Sequence, residues 1–159
     1  MAHKQRVEAN YISLRSADAD GRIITPHSFV NDGQRWHIRA FDEKHQAFLD
    51  FNLSRFIDPV EPEGDAAPCA DKSQDTQWNQ HIEVVLIPDP RLNPAQQQCI
   101  EREYQMENGR LSINCRAALV KYLLVRMRVD SVQQSTGEAQ QIILEPNCRK
   151  QLLPYIPSN

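Results

Sequence analysis

The 159-residue chain lacks several things, and each absence removes a class of function. No apolar run approaches the roughly 20 residues that a bilayer-spanning helix requires. The apolar residues 117–120 end at once on Lys121. The opening Met1-Ala-His-Lys-Gln-Arg6 has no apolar stretch of signal-peptide type, so a cytosolic location is expected. Charge of one sign is not in excess. Lys and Arg number 18 against 21 Asp and Glu, net -3, which excludes a globally basic polyanion binder and makes any anion site local. The five glycines are scattered, so no phosphate loop or other nucleotide fingerprint occurs. The cysteines at 69, 99, 115 and 148 form no CxxC pair, and no His lies near one at a zinc-like interval. They read as reduced, structural or incidental thiols. Neither a metal nor a cofactor is expected.

What is present divides the chain in three. Residues 1–60 hold 8 basic and 8 acidic side chains. Residues 61–80 hold one Lys and five acids, together with Pro and Gly, and no large apolar residue before Trp78. Such a stretch buries too little to offset its ordering entropy and reads as a linker. Residues 81–159 hold 9 basic and 8 acidic side chains. The expected organisation is a small domain over 1–60, an acidic linker over 61–80 on which Trp78 docks against a domain, and a second domain over 81–159.

The first domain reads as short strands at 7–14, 22–30, 34–41 and 48–57. Ser16-Ala-Asp-Ala-Asp-Gly21 forms a turn, Pro26 marks an edge or bend, and Asn31-Asp32-Gly33 makes a tight hairpin. The second reads as strand 81–87, helix 93–104 with Asn93, Pro94 and Gln96 as its start signals, strand 110–115, helix 117–129, strand 141–144 and a short helix capped by Asn147. The overall class is α+β: a small barrel or meander followed by a small α/β sandwich.

Strand 34–41 is the chemically informative place. Alternation sends Trp36, Ile38 and Ala40 one way and Arg35, His37 and Arg39 the other. Side chains two apart on one strand face stand about 7 Å apart. Adjacent guanidiniums repel unless an anion neutralises them, and their planar fork suits phosphate or carboxylate. His27 and Arg55 lie on other strands of the same domain and can join the row. Two readings stay open: an anion site, or a face whose cations pair with Asp32, Asp42, Asp50 or Asp58. Weaker patterns do not rise above background. His27 and His37 have no third metal ligand at a recognisable spacing. Ser13, His37 and Asp50 lack a nucleophile-elbow context, and no catalytic residue is expected. Arg116, Lys121, Arg126 and Arg128 spread around their helix as a solvated surface.

The residues Tyr11-Ile-Ser13, Pro26-His27, Asp32-Gly33-Gln-Arg35-Trp36-His37-Ile38-Arg39 and Asp50-Phe51-Asn-Leu53-Ser54-Arg55 closely resemble the WYL domain of bacterial transcriptional regulators. Asn93-Pro94-Ala95-Gln96, Tyr104-Gln-Met106-Glu107-Asn108-Gly109, Arg116-Ala-Ala-Leu119 and Tyr122-Leu123-Leu124 look like the C-terminal extension that follows it. The Trp-Tyr-Leu that names the family is Trp36-His37-Ile38 here. The resemblance implies a Sm-like small β-barrel, an α/β extension, dimerisation, and a ligand-sensing role with nucleic acid or nucleotide as the leading ligand class. It also implies an association with phage-defence or DNA-damage genes. Carried over by position, its polar pocket is Tyr11, Ser13, His27, Arg35, His37, Arg39 and Arg55. It further implies an upstream winged helix-turn-helix that contacts DNA; none stands in this sequence, so either a cut-down chain, the favoured expectation, or a stand-alone WYL protein is expected. Two functions follow. One is a regulatory module binding a phosphate-bearing effector. The other is a structural, dimerising module whose cationic strand meets an acidic surface such as residues 61–75.

Overall fold

The computed structural model describes residues 5–14, 19–130 and 132–156. The chain divides into two compact units, Met1–Thr76 and Gln77–Asn159. In the first, β1 (Gln5–Ile12), β2 (Ala19–Asn31), β3 (Trp36–Asp42), β4 (Ala47–Asn52) and β5 (Glu61–Asp65) form one antiparallel sheet, ordered β4-β3-β2-β1-β5. Part of the expected 16–21 turn lies outside the described residues, while residues 19–21 already belong to β2. The hairpin between β2 and β3 forms as its residues dictate. Gly33 takes φ 96°, and the Asp32 carboxylate accepts the N–H groups of Gln34 and Arg35, each at 2.7 Å.

Pro26 sits in a central strand rather than at an edge. Its missing N–H is accommodated by a bulge between Pro26 and Ser28 that leaves His27 outside the ladder. One face of the sheet is apolar: Tyr11, Ile24, Ala40 and Phe51 are buried there, with Val7, Ile38, Leu49 and Phe56 packed against them. Each such large side chain contributes about 1.5–3 kcal/mol by leaving water.

Two expectations are corrected here. The sheet is open, because β4 and β5 do not pair among the described residues. A single antiparallel bridge, Tyr11 to Phe56, brings the chain after β4 back toward β1. The 61–75 segment is also structured. Glu61–Asp65 pairs with β1 although every one of its residues is exposed, and two 3-10 turns follow at Pro68–Ala70 and Lys72–Gln74. A composition argument counts apolar burial only. This segment is held instead by backbone pairing on an open edge and by the Asp75 carboxylate, which is 1% exposed.

In the second unit, β6 (His81–Pro88), β7 (Leu111–Arg116) and β8 (Ile142–Leu144) form an antiparallel sheet ordered β7-β6-β8. Its helices include Pro94–Glu103, Val120–Arg126, Gly137–Gln140 and Pro146–Gln151. The first starts on the expected capping box. Asn93 accepts the Gln96 N–H, and the Gln96 side chain accepts the Asn93 N–H, both at 2.9 Å. The expected 117–129 helix opens as a 3-10 turn and its α-helical part ends at Arg126, with Arg128 in a positive-φ conformation. The last helix is capped by Glu145 rather than Asn147. The longer carboxylate reaches the N–H groups of Asn147 and Cys148 at 3.0 and 2.9 Å. Val84, Leu86, Val120, Leu124, Ile142 and Leu152 form the centre of this unit's core. Trp78 is buried, with the Arg116 guanidinium 4.8 Å above its ring.

Candidate functional site

Strand β3 carries the site, and its register decides which side chains meet. Ile38 and Ala40 pair with Phe51 and Leu49 on the apolar face. His37 and Arg39 point to the opposite face, as alternation requires, and Arg39 stands across from Asp50 and Ser28. Arg39 is 4% exposed. Its Nε and Nη2 donate to the two oxygens of Asp75 at 2.7 and 3.1 Å, and its Nη1 donates to Asp50 at 3.1 Å. Burial works to lower its pKa, but the bonds and charges of Asp75 and Asp50 outweigh it and hold the guanidinium above its ordinary value.

The bulge places His27 beside this pair. His27 Nε2 lies 3.2 Å from Asp75 Oδ2 and Nδ1 lies 2.9 Å from Ser28 Oγ. A carboxylate only accepts, so Nε2 carries the proton and Nδ1 accepts from the Ser28 hydroxyl. Burial lowers the His27 pKa, and the Asp75 bond offsets only part of that, so the ring is neutral near pH 7. Lys72 Nζ donates to Ser28 Oγ at 3.0 Å. A continuous network thus runs from Lys72 through Ser28, His27 and Asp75 to Arg39 and Asp50.

The row is therefore not free of counter-ions: of the two readings left open, pairing with acids holds for His37 with Asp32 and for Arg39 with Asp50. His37 Nε2 lies 2.7 Å from Asp32 Oδ2. Burial opposes the Asp32 charge, but the His37 bond and the Gln34 and Arg35 amides hold its pKa at about 2. Tyr11 stands apart from the cations. Its ring packs edge-on to Phe51 and Phe56 at 5.1 and 5.2 Å, and its hydroxyl accepts the Asn52 N–H at 3.1 Å, so it belongs to the apolar face. Ser13 is half-buried just beyond the end of β1.

Arg35 and Arg55 behave differently from Arg39. Arg35 is exposed in the turn before β3, and Arg55 is half-buried in the 3-10 turn Leu53–Arg55 after β4. Neither has a carboxylate partner for its side chain among the described residues. His37 pairs with Asn52, so both arginines lie at the same end of the β3–β4 pair. At that end Trp36 is 55% exposed, and on the adjoining strand Phe29, paired with Ile38, is 69% exposed. A cleft of about 550 Å³, lined by Pro26, Phe29, Ile38, Leu53 and Phe56 among others, opens on this unit.

Sequence reasoning missed Asp75 as the residue that organises the site; its signal was only its place in an acidic stretch. It also missed the buried pair of Asp42, 0% exposed, with Arg22 at 2.8 Å. No cluster of three or more potential metal ligands occurs among the described residues, and no helix among them is long and apolar enough to cross a membrane.

Comparison with known proteins places the two units. The WYL domain family matches residues 1–61, and the C-terminal dimerization domain of the BrxR transcriptional regulator matches residues 81–152. The chain is similar to the DNA-binding transcriptional repressor CapW of Pseudomonas aeruginosa, 40% identical over 80% of this chain and 42% of that protein. It is similar to CapW of Escherichia coli strain KTE188, 36% identical over 89% of this chain and 46% of that protein, and to CapW of Stenotrophomonas maltophilia, 32% identical over 91% and 48%. The chain spans less than half the length of these relatives. The chain thus carries a WYL domain followed by a BrxR-type C-terminal dimerization domain.

Proposed function

We propose that the chain is the effector-sensing and dimerising region of a DNA-binding transcriptional repressor, acting in the cytosol as a homodimer. Its WYL unit takes a phosphate-bearing effector, a nucleic acid or nucleotide. The observation that carries this reading is the pair of arginines without carboxylates, Arg35 and Arg55, beside the exposed Trp36 and Phe29. Guanidiniums supply phosphate contacts and aromatic faces accept unstacked bases, the combination used for single-stranded nucleic acid. Ser13, His27, His37 and Arg39 complete the site, the buried ones as its support, while Tyr11 packs the apolar face of the same sheet. The five-stranded sheet with its Tyr11–Phe56 bridge is an opened version of the Sm-like barrel. Operator contact falls to a winged helix-turn-helix outside this sequence, for which the greater length of the relatives leaves room. Control of phage-defence genes is carried over from the family resemblance of the sequence.

A second reading has its own support. Arg39 is already bound by Asp75 from the acidic segment, which favours a structural role for the cationic strand. One experiment separates the two. Short single-stranded oligonucleotides and cyclic nucleotides are titrated by fluorescence anisotropy at low and moderate salt. The effector reading predicts binding that weakens as salt rises. Arg35→Ala/Arg55→Ala weakens it further and lowers the salt slope by about 0.7 per lost phosphate contact. Absence of binding at low salt leaves the structural reading.

A further inference from the structure

We propose that the apolar cleft of the first unit seats one unpaired base of the effector and that Trp36 carries the next, so that the ligand is a single strand with at least two unstacked bases. This rests on the effector reading above and names the substrate class of that site. The cleft, of about 550 Å³, falls within the roughly 300–1,000 Å³ of pockets that hold small ligands. Its side-chain walls are apolar apart from His27 and Ser28, and those two bond each other at 2.9 Å. A planar base therefore enters by stacking, against the exposed ring of Phe29, and by leaving water, with little hydrogen-bond readout. Leu53 and Phe56 line the cleft, and Arg55 stands between them in the chain. A phosphate held by Arg55 thus brings its base to the cleft.

Strand pairing sets the second place. Phe29 pairs with Ile38, so both share one face, and Trp36 shares that face two positions along β3. Trp36 is exposed and Arg35 directly precedes it, so the pairing of an aromatic ring with a guanidinium is repeated. A ligand with alternating anionic and planar apolar parts matches this order, and a nucleic-acid strand is such a ligand. Two positions on a strand span about 7 Å. That is twice the roughly 3.4 Å step between stacked bases along one strand of a duplex. Consecutive bases occupy both places only when unstacked. Duplex, whose bases are paired and stacked, is refused, and inorganic phosphate, which has no base, leaves both places empty.

The test measures affinity for the whole chain by fluorescence anisotropy at low salt. Its ligands are an oligothymidylate of roughly ten nucleotides, a strand of the same length and charge that lacks bases, and the oligothymidylate paired with its complement. The proposal predicts that the oligothymidylate binds about tenfold or more tighter than the base-free strand, since each stacked base is worth a factor of roughly five to a hundred. It also predicts that the duplex binds more weakly than the single strand despite its greater charge. Phe29→Ala and Trp36→Ala, at exposed side chains outside the core, each lower the ratio of oligothymidylate to base-free affinity. Equal affinity for the oligothymidylate and the base-free strand, or duplex binding as tight as the single strand, overturns the two base places and keeps the effector reading. No binding of any ligand overturns both. An unchanged ratio in both variants also overturns the proposal; if sedimentation then shows the variants to be monomers where the wild type is a dimer, this face is a contact between copies instead.

Discussion

Arg35 and Arg39 stand four residues apart with the same side chain, yet removing them should have very different costs. Arg39→Met keeps much of the aliphatic volume and deletes the cation. Asp50 and Asp75, whose side chains are 5% and 2% exposed, are then left as buried carboxylates without their shared counter-ion. Breaking a buried ion pair by removing one partner costs about 3–5 kcal/mol. Arg35→Ala removes an exposed side chain with no ionic partner among the described residues and should cost less than about 0.5 kcal/mol. The double variant Arg39→Met/Asp75→Asn should regain part of the loss, because one stranded charge goes with the cation. Urea unfolding of the first unit, followed by circular dichroism, measures all three. Equal and small losses for Arg39→Met and Arg35→Ala would refute the buried network and with it the account of how residues 66–76 are held.

Three further outcomes follow from the same geometry. The His27 pKa is lowered in the folded chain, so the unfolded chain binds the proton more readily. Stability should be full above pH 6.5 and decline as pH falls below it, and His27→Gln should flatten that limb in a pH series of melting temperatures. Asp32 has the opposite origin but the same sign: its pKa is held at about 2 against 3.8, so its contribution is complete above pH 4 or so and is lost as pH falls toward 2, a limb that Asp32→Asn removes. Gly137→Ala should destabilise the second unit by about 1–3 kcal/mol, since an added Cβ meets Arg91 Cβ at 3.1 Å and the Leu92 nitrogen at 3.2 Å; thermal unfolding checks it.

Much of the architecture was readable from local chemistry. The Asp32-Gly33 turn, the alternation along 36–41, and the Asn93-Pro94-Gln96 helix start each depend on a few neighbouring residues, and each forms as read. Interactions distant in sequence were not readable. Asp75 reaches Arg39 across 36 positions and His27 across 48, and nothing local marks it among the acids of its segment. Tyr11 shows the same limit in reverse. Its position in the family pattern suggested a pocket residue, but strand register puts its ring among Phe51 and Phe56. Pro26 illustrates a third case: the residue type foretold an irregularity, while the bulge that projects His27 toward Asp75 emerged only from the pairing of β2 with β3.

The claim beneath all of this is that the WYL unit binds an anionic effector. Its most direct test is the melting temperature of the chain as a function of oligothymidylate concentration at low salt. Ligand that binds only the folded state stabilises it by about 2.7 kcal/mol at a hundredfold excess over Kd. The account predicts a rise in melting temperature that continues with concentration and shrinks in Arg35→Ala/Arg55→Ala. A melting temperature indifferent to the oligonucleotide at every concentration would contradict it.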